Sequence, residues 1–326
     1  SFPACNDVHQ VDLTDLSYRR NRWHRQVRVI AHGYFRDVWA VREYDGVTLR
    51  VLKTIRYEHD FDEWNYDRHR MDAIAYDQLT SSPHVLDIYG FCGNTALFEY
   101  APGGDMTDAI FDDDPKARPS LEEKLLMAAD AARGVRDLHT FNGRGAAAIV
   151  HADIMTNQFV LAGGAYKLSD FNRCTFLYWN STSEDGNCPY RYGDYNAWIF
   201  RSPEEYYYDL QTEKIDVYSL GNVFYTLLME DFPFQALYDK EGTSAVRKAV
   251  RAGQRPPLSE GLRESKNPRK VALVKAMDMC HIHDWRVRPS AKEVADFLDA
   301  ELKRIELGEG KGATVKDGNA EEGVSG

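Results

Sequence analysis

Three charged side chains stand out by their surroundings. Asp153 follows His151-Ala152, Asp170 precedes Phe171-Asn172, each beside a short strand-like run, and Lys53 ends the apolar stretch Val51-Leu52-Lys53. A carboxylate can accept a proton or ligate a hard divalent cation, and an ammonium can hold an anion. Each residue also has a bland reading, as a turn-capping aspartate or as a surface lysine on an edge strand. The five cysteines, Cys5, Cys92, Cys174, Cys188 and Cys280, have no metal-ligand spacing, and their odd number argues against a disulfide framework. Reduced thiols in the cytoplasm are the expectation. Cys174 and Cys188 flank one polar segment with the sequon Asn180-Ser181-Thr182 between them, which keeps a secretory-lumen or extracellular location, and a bridge between these two, as the alternative.

The elements that must position these residues follow from periodicity. Gln26 to Ile30, Val38 to Glu43 and Val47 to Thr54 are short and rich in β-branched residues, and Asp45-Gly46 supplies a hairpin turn, so an antiparallel meander is expected. A charged helical stretch, Asp67 to Leu79, precedes two further strands, His84 to Phe91 and Thr95 to Tyr100, and Pro102-Gly103-Gly104 breaks the chain. Beyond it, the capping box Ser120 to Glu123 opens a helix with Leu121, Leu125, Ala128, Ala132, Val135 and Leu138 on one face. Short strands at 148–150, 158–161 and 166–168 lead to a long polar segment, Arg173 to Trp198, of a length that is usually functional. Helices return at Ile215 to Met229, around Val271 to Met279, and after the second capping box, Ser290 to Glu293.

Composition narrows the function classes. A net charge of −11 with pI near 5.4 argues against a nucleic-acid partner, because neutralising phosphates takes a basic surface. No apolar run reaches the roughly 18 residues of a membrane span. The first methionine is Met71, so the chain is expected to be a processed or partial product whose targeting segment, if any, is missing.

Taken in order, the Gly33-containing hairpin, the third-strand lysine, His151-Ala152-Asp153, Asp170-Phe171-Asn172, Ser202-Pro203-Glu204, Asp216-Val217-Tyr218-Ser219-Leu220-Gly221 and Arg288-Pro289-Ser290 resemble the eukaryotic-type protein kinase domain, over roughly residues 26 to 302. The resemblance implies an α+β bilobal protein-kinase-like fold, with an N-lobe of a five-stranded antiparallel sheet plus one helix and a mainly α-helical C-lobe. Its implied divisions are an N-terminal extension (1–24), the N-lobe (25–101), the C-lobe (102–306) and a disordered tail (307–326). The implied cofactors are ATP and Mg²⁺, and the implied partner is a protein substrate. Lys53 would hold the α- and β-phosphates, Asp72 of the helix would pair with Lys53, Asp153 would accept the substrate hydroxyl proton, and Asp170 with Gln158 would ligate Mg²⁺. Val38, Val51 and Val160 would sandwich the adenine beside Phe98, with hinge groups from Glu99 and Ala101, a ribose contact from Asp105 and the covering loop at Gly33. His151 and Phe171 belong to the scaffold of the motifs, as do the Glu204–Arg288 ion pair and Asp216.

The chain departs from the pattern at several places. Ala152 replaces an arginine, so control through an ion pair from that position to a phosphorylated activation segment is not expected. Met155 stands where the family has a cation, Gln158 where it has Asn, and Asp72 where it has Glu. Asn172 replaces a glycine and is expected to tolerate positive φ. Only one glycine of the phosphate-covering loop survives in Ala31-His32-Gly33-Tyr34-Phe35-Arg36; Arg36 is expected to face solvent, with a lean over the phosphates as the alternative. The resemblance implies an atypical protein kinase. The departures keep open a nucleotide-binding or scaffolding pseudokinase, and the sequon a lumenal kinase-fold enzyme acting on a glycan. Tyr190, Tyr192 and Tyr195 lie in the segment where modification is conceivable. Neither serine/threonine nor tyrosine preference follows from Ile154-Met155-Thr156-Asn157.

Overall fold

The computed structural model describes residues 4–9, 11, 27–143, 146–178, 188, 190 and 199–317. The sequon and Tyr192 and Tyr195 lie outside the described residues. The chain divides into two compact units, one of Ser1–Asp108 with Asp137–Cys188, the other of Ala109–Arg136 with Pro189–Gly326. The strand-rich segment after residue 137 therefore groups with the first 108 residues. Among the described residues no helix is long and apolar enough to cross a membrane.

The first unit is built on five antiparallel strands, β1 (Arg28–His32), β2 (Arg36–Arg42), β3 (Leu49–Ile55), β4 (Ile88–Cys92) and β5 (Thr95–Glu99), in the order β1-β2-β3-β5-β4. The β2–β3 hairpin turns at Gly46, whose φ of +71° suits a residue without Cβ, and Asp45 accepts the amides of Val47 and Thr48 at 2.8 and 2.9 Å. Alternation then sorts the side chains. Val41, Leu52 and Leu97 bury on one face against Val8, Val11 and Val27, with Trp39 and Tyr89 packed beside them. The register Val38↔Lys53, Ala40↔Val51 and Val51↔Phe98 puts the residues of interest, Arg36 included, on the other face.

The described residues of the N-terminal segment pack on this sheet. A short helix, α1 (Cys5–Val8), lies on β4, and Cys5 is disulfide-bonded to Cys92 across a sequence separation of 87. This corrects the expectation of reduced thiols, and the bond lies elsewhere than between Cys174 and Cys188, the pair expected as the alternative. Helix α2 (Glu63–Gln78) opens at Asp62, whose side chain accepts the Asn65 amide at 2.8 Å, and buries His69, Asp72, Ala73 and Tyr76. After β5 come α3 (Met106–Ile110) and α4 (Leu121–Thr140), the latter closed at its start by the Ser120–Glu123 capping box and lying across the division between the units. The unit continues through β6 (Ile149–Val150), a 3₁₀ turn (Thr156–Gln158), β7 (Phe159–Ala162), β8 (Ala165–Leu168) and β9 (Thr175–Phe176); β6 pairs with β9 and β7 with β8.

The second unit is helical, with α5 (Pro203–Tyr207), α6 (Lys214–Met229), α7 (Gln235–Glu241), α8 (Thr243–Arg251), α9 (Glu260–Arg263), α10 (Pro268–Cys280) and α11 (Ala291–Asp317). Helix α6 is buried over nearly its whole length and packs on α10. Its all-round apolar character is what a central helix requires. Helix α11 continues past Leu307, where the sequence pattern fades and disorder was expected to begin, as far as Asp317.

Candidate functional site

The site residues of the first unit come from four segments: β2 and β3, helix α2, the loop before the 3₁₀ turn, and the segment after β8. Lys53 and Arg36 lie on the same face of adjacent strands, because Val38 pairs with Lys53 and Arg36 with Ile55, which makes the two cations diagonal neighbours. Lys53 Nζ sits 4.9 Å from the Phe98 ring centroid and makes no ion pair among the described residues. Burial pushes the ammonium below the ordinary lysine value; Asp170 and Asp72 offset this in part, and Arg36 adds to it.

Arg36 is not solvent-facing. It is 4% exposed, and its Nη2 lies 2.6 Å from Asp72 Oδ2 and 3.5 Å from Asp170 Oδ1. Burial works against its charge, but Asp72 and Asp170 outweigh it and hold the pKa above the ordinary arginine value. The ion pair expected between Asp72 and Lys53 is thus made by Arg36 instead. The short Asp72 side chain reaches in a second direction, since its Oδ1 accepts the amide of Phe171 at 2.8 Å. One turn further along α2, Tyr76 Oη accepts the amide of Asp170 at 2.7 Å.

The motif residues sit on a column of rings. Phe98, Tyr76, Phe171 and His151 follow one another with centroids 4.8, 4.7 and 5.0 Å apart. His151 Nε2 is 3.1 Å from the Ser169 carbonyl, within hydrogen-bond distance, which ties the loop before the 3₁₀ turn to the residue preceding Asp170. The backbone strain lies at Ala152 and Asp170, with φ of +60° and +63°. The tolerance of positive φ expected of Asn172 is not drawn on; Asp170 takes the left-handed position itself, a conformation that aspartate tolerates better than most residues.

Asp153 accepts a hydrogen bond from Gln158 Nε2 at 3.2 Å, and Arg173 Nε lies 3.8 Å from its other oxygen. Arg173 escaped the sequence reading because nothing in its spacing marks it. Gln158 also receives the Ser169 amide and hydroxyl on its carbonyl, at 2.8 and 3.1 Å. Gln158 therefore holds Asp153 through its side chain and, through its backbone carbonyl, Ser169, the residue that precedes Asp170. Burial alone would raise the Asp170 carboxyl, yet Lys53, Arg36 and His151 hold it below the usual carboxylate range.

The remaining positions line the same unit. Val51 and Phe98 are buried, while Val38 and Val160 are partly exposed. Glu99 is held by Lys167 at 2.9 and 3.0 Å, and Ala101 follows at the end of β5. Asp105 spends its Oδ1 on the amides of Thr107 and Asp108, at 2.8 and 3.0 Å, as a helix cap, and burial raises its carboxyl above the ordinary value. Gly33 closes a tight turn, donating its amide to the Arg36 carbonyl at 2.8 Å. Gly103 is required by close approach, because a Cβ there would meet Leu161 Cδ2 at 2.5 Å. In the second unit Arg288 Nη2 lies 2.7 Å from Glu204 Oε1, both buried, and Asp216 sits in the first turn of α6.

Comparison with known proteins agrees with this arrangement. The chain is 27% identical over 222 residues to "Mitogen-activated protein kinase kinase kinase 7" of Homo sapiens, covering 66% of this chain and 33% of that protein. It is 27% identical over 286 residues to "Seven transmembrane domain-containing tyrosine-protein kinase 1" of Dictyostelium discoideum, covering 84% and 38%. It is 28% identical over 245 residues to "Putative mitogen-activated protein kinase kinase kinase 7-like" of Drosophila melanogaster, covering 73% and 58%. In each case the match takes in less than two thirds of the relative's own length. The protein kinase domain model matches residues 24–299, and the chain belongs to that family.

Proposed function

We propose that this chain is an ATP- and Mg²⁺-dependent phosphotransferase that moves the γ-phosphoryl group to a hydroxyl of a protein substrate. The observation that carries this reading is that the Gln158 side chain bonds Asp153 while the Gln158 backbone carbonyl holds Ser169, the residue before Asp170, with Lys53 in the field of Asp170. The residues fit the expected ligands. Asp170 is ionised and one third exposed, and Gln158 spends its amide nitrogen on Asp153, which leaves its amide oxygen as a second hard donor. Asp170 and Gln158 would hold Mg²⁺, whose part when bound is to neutralise charge on the phosphates. Lys53 would bind the α- and β-phosphate oxygens. Asp153 would take the hydroxyl proton as that oxygen bonds to the γ-phosphorus and the bridging oxygen departs with its electron pair on ADP. Arg173 supports the reading by supplying beside Asp153 a cation that Met155 lacks.

The test is transfer of label from γ-labelled ATP with Mg²⁺ to a protein acceptor by wild type and by Asp153→Asn. Label moved by the wild type alone supports the proposal. Equal signals from both would sink it. A rise in melting temperature with ATP and no transfer favours a nucleotide-binding pseudokinase.

The Cys5–Cys92 bond supports an oxidising location, such as the secretory lumen or cell exterior, over the cytoplasm, where thiols are kept reduced. Peptide mapping of protein from its native source under non-reducing conditions decides between them.

A further inference from the structure

We propose that Arg36, not Lys53, is the positioning cation of helix α2, so that the docking of this helix is independent of the lysine that would meet the nucleotide. The inference deepens the reading of Lys53 given above, but its own footing is the geometry around Asp72.

That carboxylate joins three segments. Oδ2 meets Arg36 of β2 at 2.6 Å, Oδ1 accepts the Phe171 amide at 2.8 Å, and the residue itself belongs to α2. Its side chain is fully buried, so its charge needs a partner, and Arg36 is the ion-pair partner it has among the described residues. The β2–β3 register explains the choice. Arg36 and Lys53 project from the same face, but the guanidinium reaches Asp72 and Asp170 while the ammonium rests against the Phe98 ring. An aspartate, one methylene shorter than glutamate, can serve the Phe171 amide and a planar guanidinium at once, each oxygen taking one partner.

Two jobs are therefore divided. Arg36 holds α2 and, through it, the Asp170-Phe171-Asn172 segment. Among the described residues Lys53 makes no ion pair, which leaves its ammonium available to an anion. A substitution at Lys53 leaves α2 where it is, whereas one at Arg36 strands the Asp72 charge.

Hydrogen exchange by mass spectrometry on the nucleotide-free full chain tests this without requiring activity, so that failure of the phosphotransfer reading and failure of this one are told apart. In Lys53→Met, peptides covering 63–78 and 170–172 should exchange within about twofold of wild type. In Arg36→Gln the same peptides should exchange about tenfold faster or more, and Arg36→Gln/Asp72→Asn should return toward wild type, since no charge is left without a partner. If Arg36→Gln does not fold, the double variant decides: recovery of folded protein supports the assignment, and failure to fold overturns it. Equal acceleration in Lys53→Met and Arg36→Gln, or wild-type exchange in Arg36→Gln, also overturns it.

Discussion

Arg173 Nε lies 3.8 Å from Asp153 Oδ1, so the carboxylate at the end of His151-Ala152-Asp153 has a cation beside it although Met155, two residues on, carries none. The charge comes from the segment after β8 instead of from the loop itself. Replacing Arg173 by Met should slow phosphoryl transfer by roughly tenfold to a hundredfold, the range of one charge-assisted contact of about 1.5–3 kcal/mol. The affinity for nucleotide, read by thermal shift, should change little. Met155→Lys in the Arg173→Met background should recover part of the rate; steady-state kinetics of the three proteins checks this.

The Glu204–Arg288 pair, at 2.7 Å and almost wholly buried, is the ionic anchor of the helical unit, and Arg288 also donates to the carbonyls of Ile282, Lys214 and His283 at 2.8, 2.7 and 3.1 Å. Glu204→Gln removes the charge that compensates the guanidinium and should cost about 3–5 kcal/mol. Calorimetry should show this as a fall in melting temperature of roughly 10 °C. A shift of only a degree or two would mean that the carbonyls alone satisfy Arg288.

Two buried histidines make stability depend on pH. Burial lowers His69 to about 4 and His281 to about 3, with His69 hydrogen-bonded to Asn94 Oδ1 at 3.0 Å and His281 to Asn222 Oδ1 at 2.9 Å. The unfolded chain takes up these protons first, near pH 6.5, so the stabilisation is complete above that pH and is lost as pH falls toward 4 and then 3. Each histidine contributes a slope of up to roughly 1.4 kcal/mol per pH unit in its window. Melting curves from pH 7.5 downward should follow this decline, and His281→Gln, which keeps a donor to Asn222, should flatten it below pH 6.

The bond between Cys5 and Cys92 closes a long loop and ties α1 to the edge strand β4. Chain entropy puts its contribution at about 4.6 kcal/mol. Denaturant titration should find wild type with reductant and Cys5→Ser without it destabilised alike. Rapid alkylation of both thiols in the native, unreduced protein would remove the basis for this expectation.

Local chemistry was legible. The Asp45-Gly46 turn, the Ser120–Glu123 and Ser290–Glu293 boxes and the apolar face of α4 depend on residues within a few positions of one another, so spacing alone reveals them. The order of the motifs is a property of the linear chain as well, and it carried the family. The short helices α7 to α9 lack that kind of signal; four to nine residues complete too little periodicity to read.

Partners were another matter. Arg36 and Asp170 are 134 residues apart, Asp72 and Phe171 99, and Cys5 and Cys92 87, and no local pattern relates them. Which carboxylate a cation meets is decided by strand register, by the face on which a side chain emerges, and by how far its arm reaches once the backbone is in place. The residue types that could do chemistry were written in the sequence; the tertiary structure assigned Arg36 to Asp72, Arg173 to Asp153 and Cys5 to Cys92, because a buried charge or thiol takes the partner that folding brings within a few ångströms.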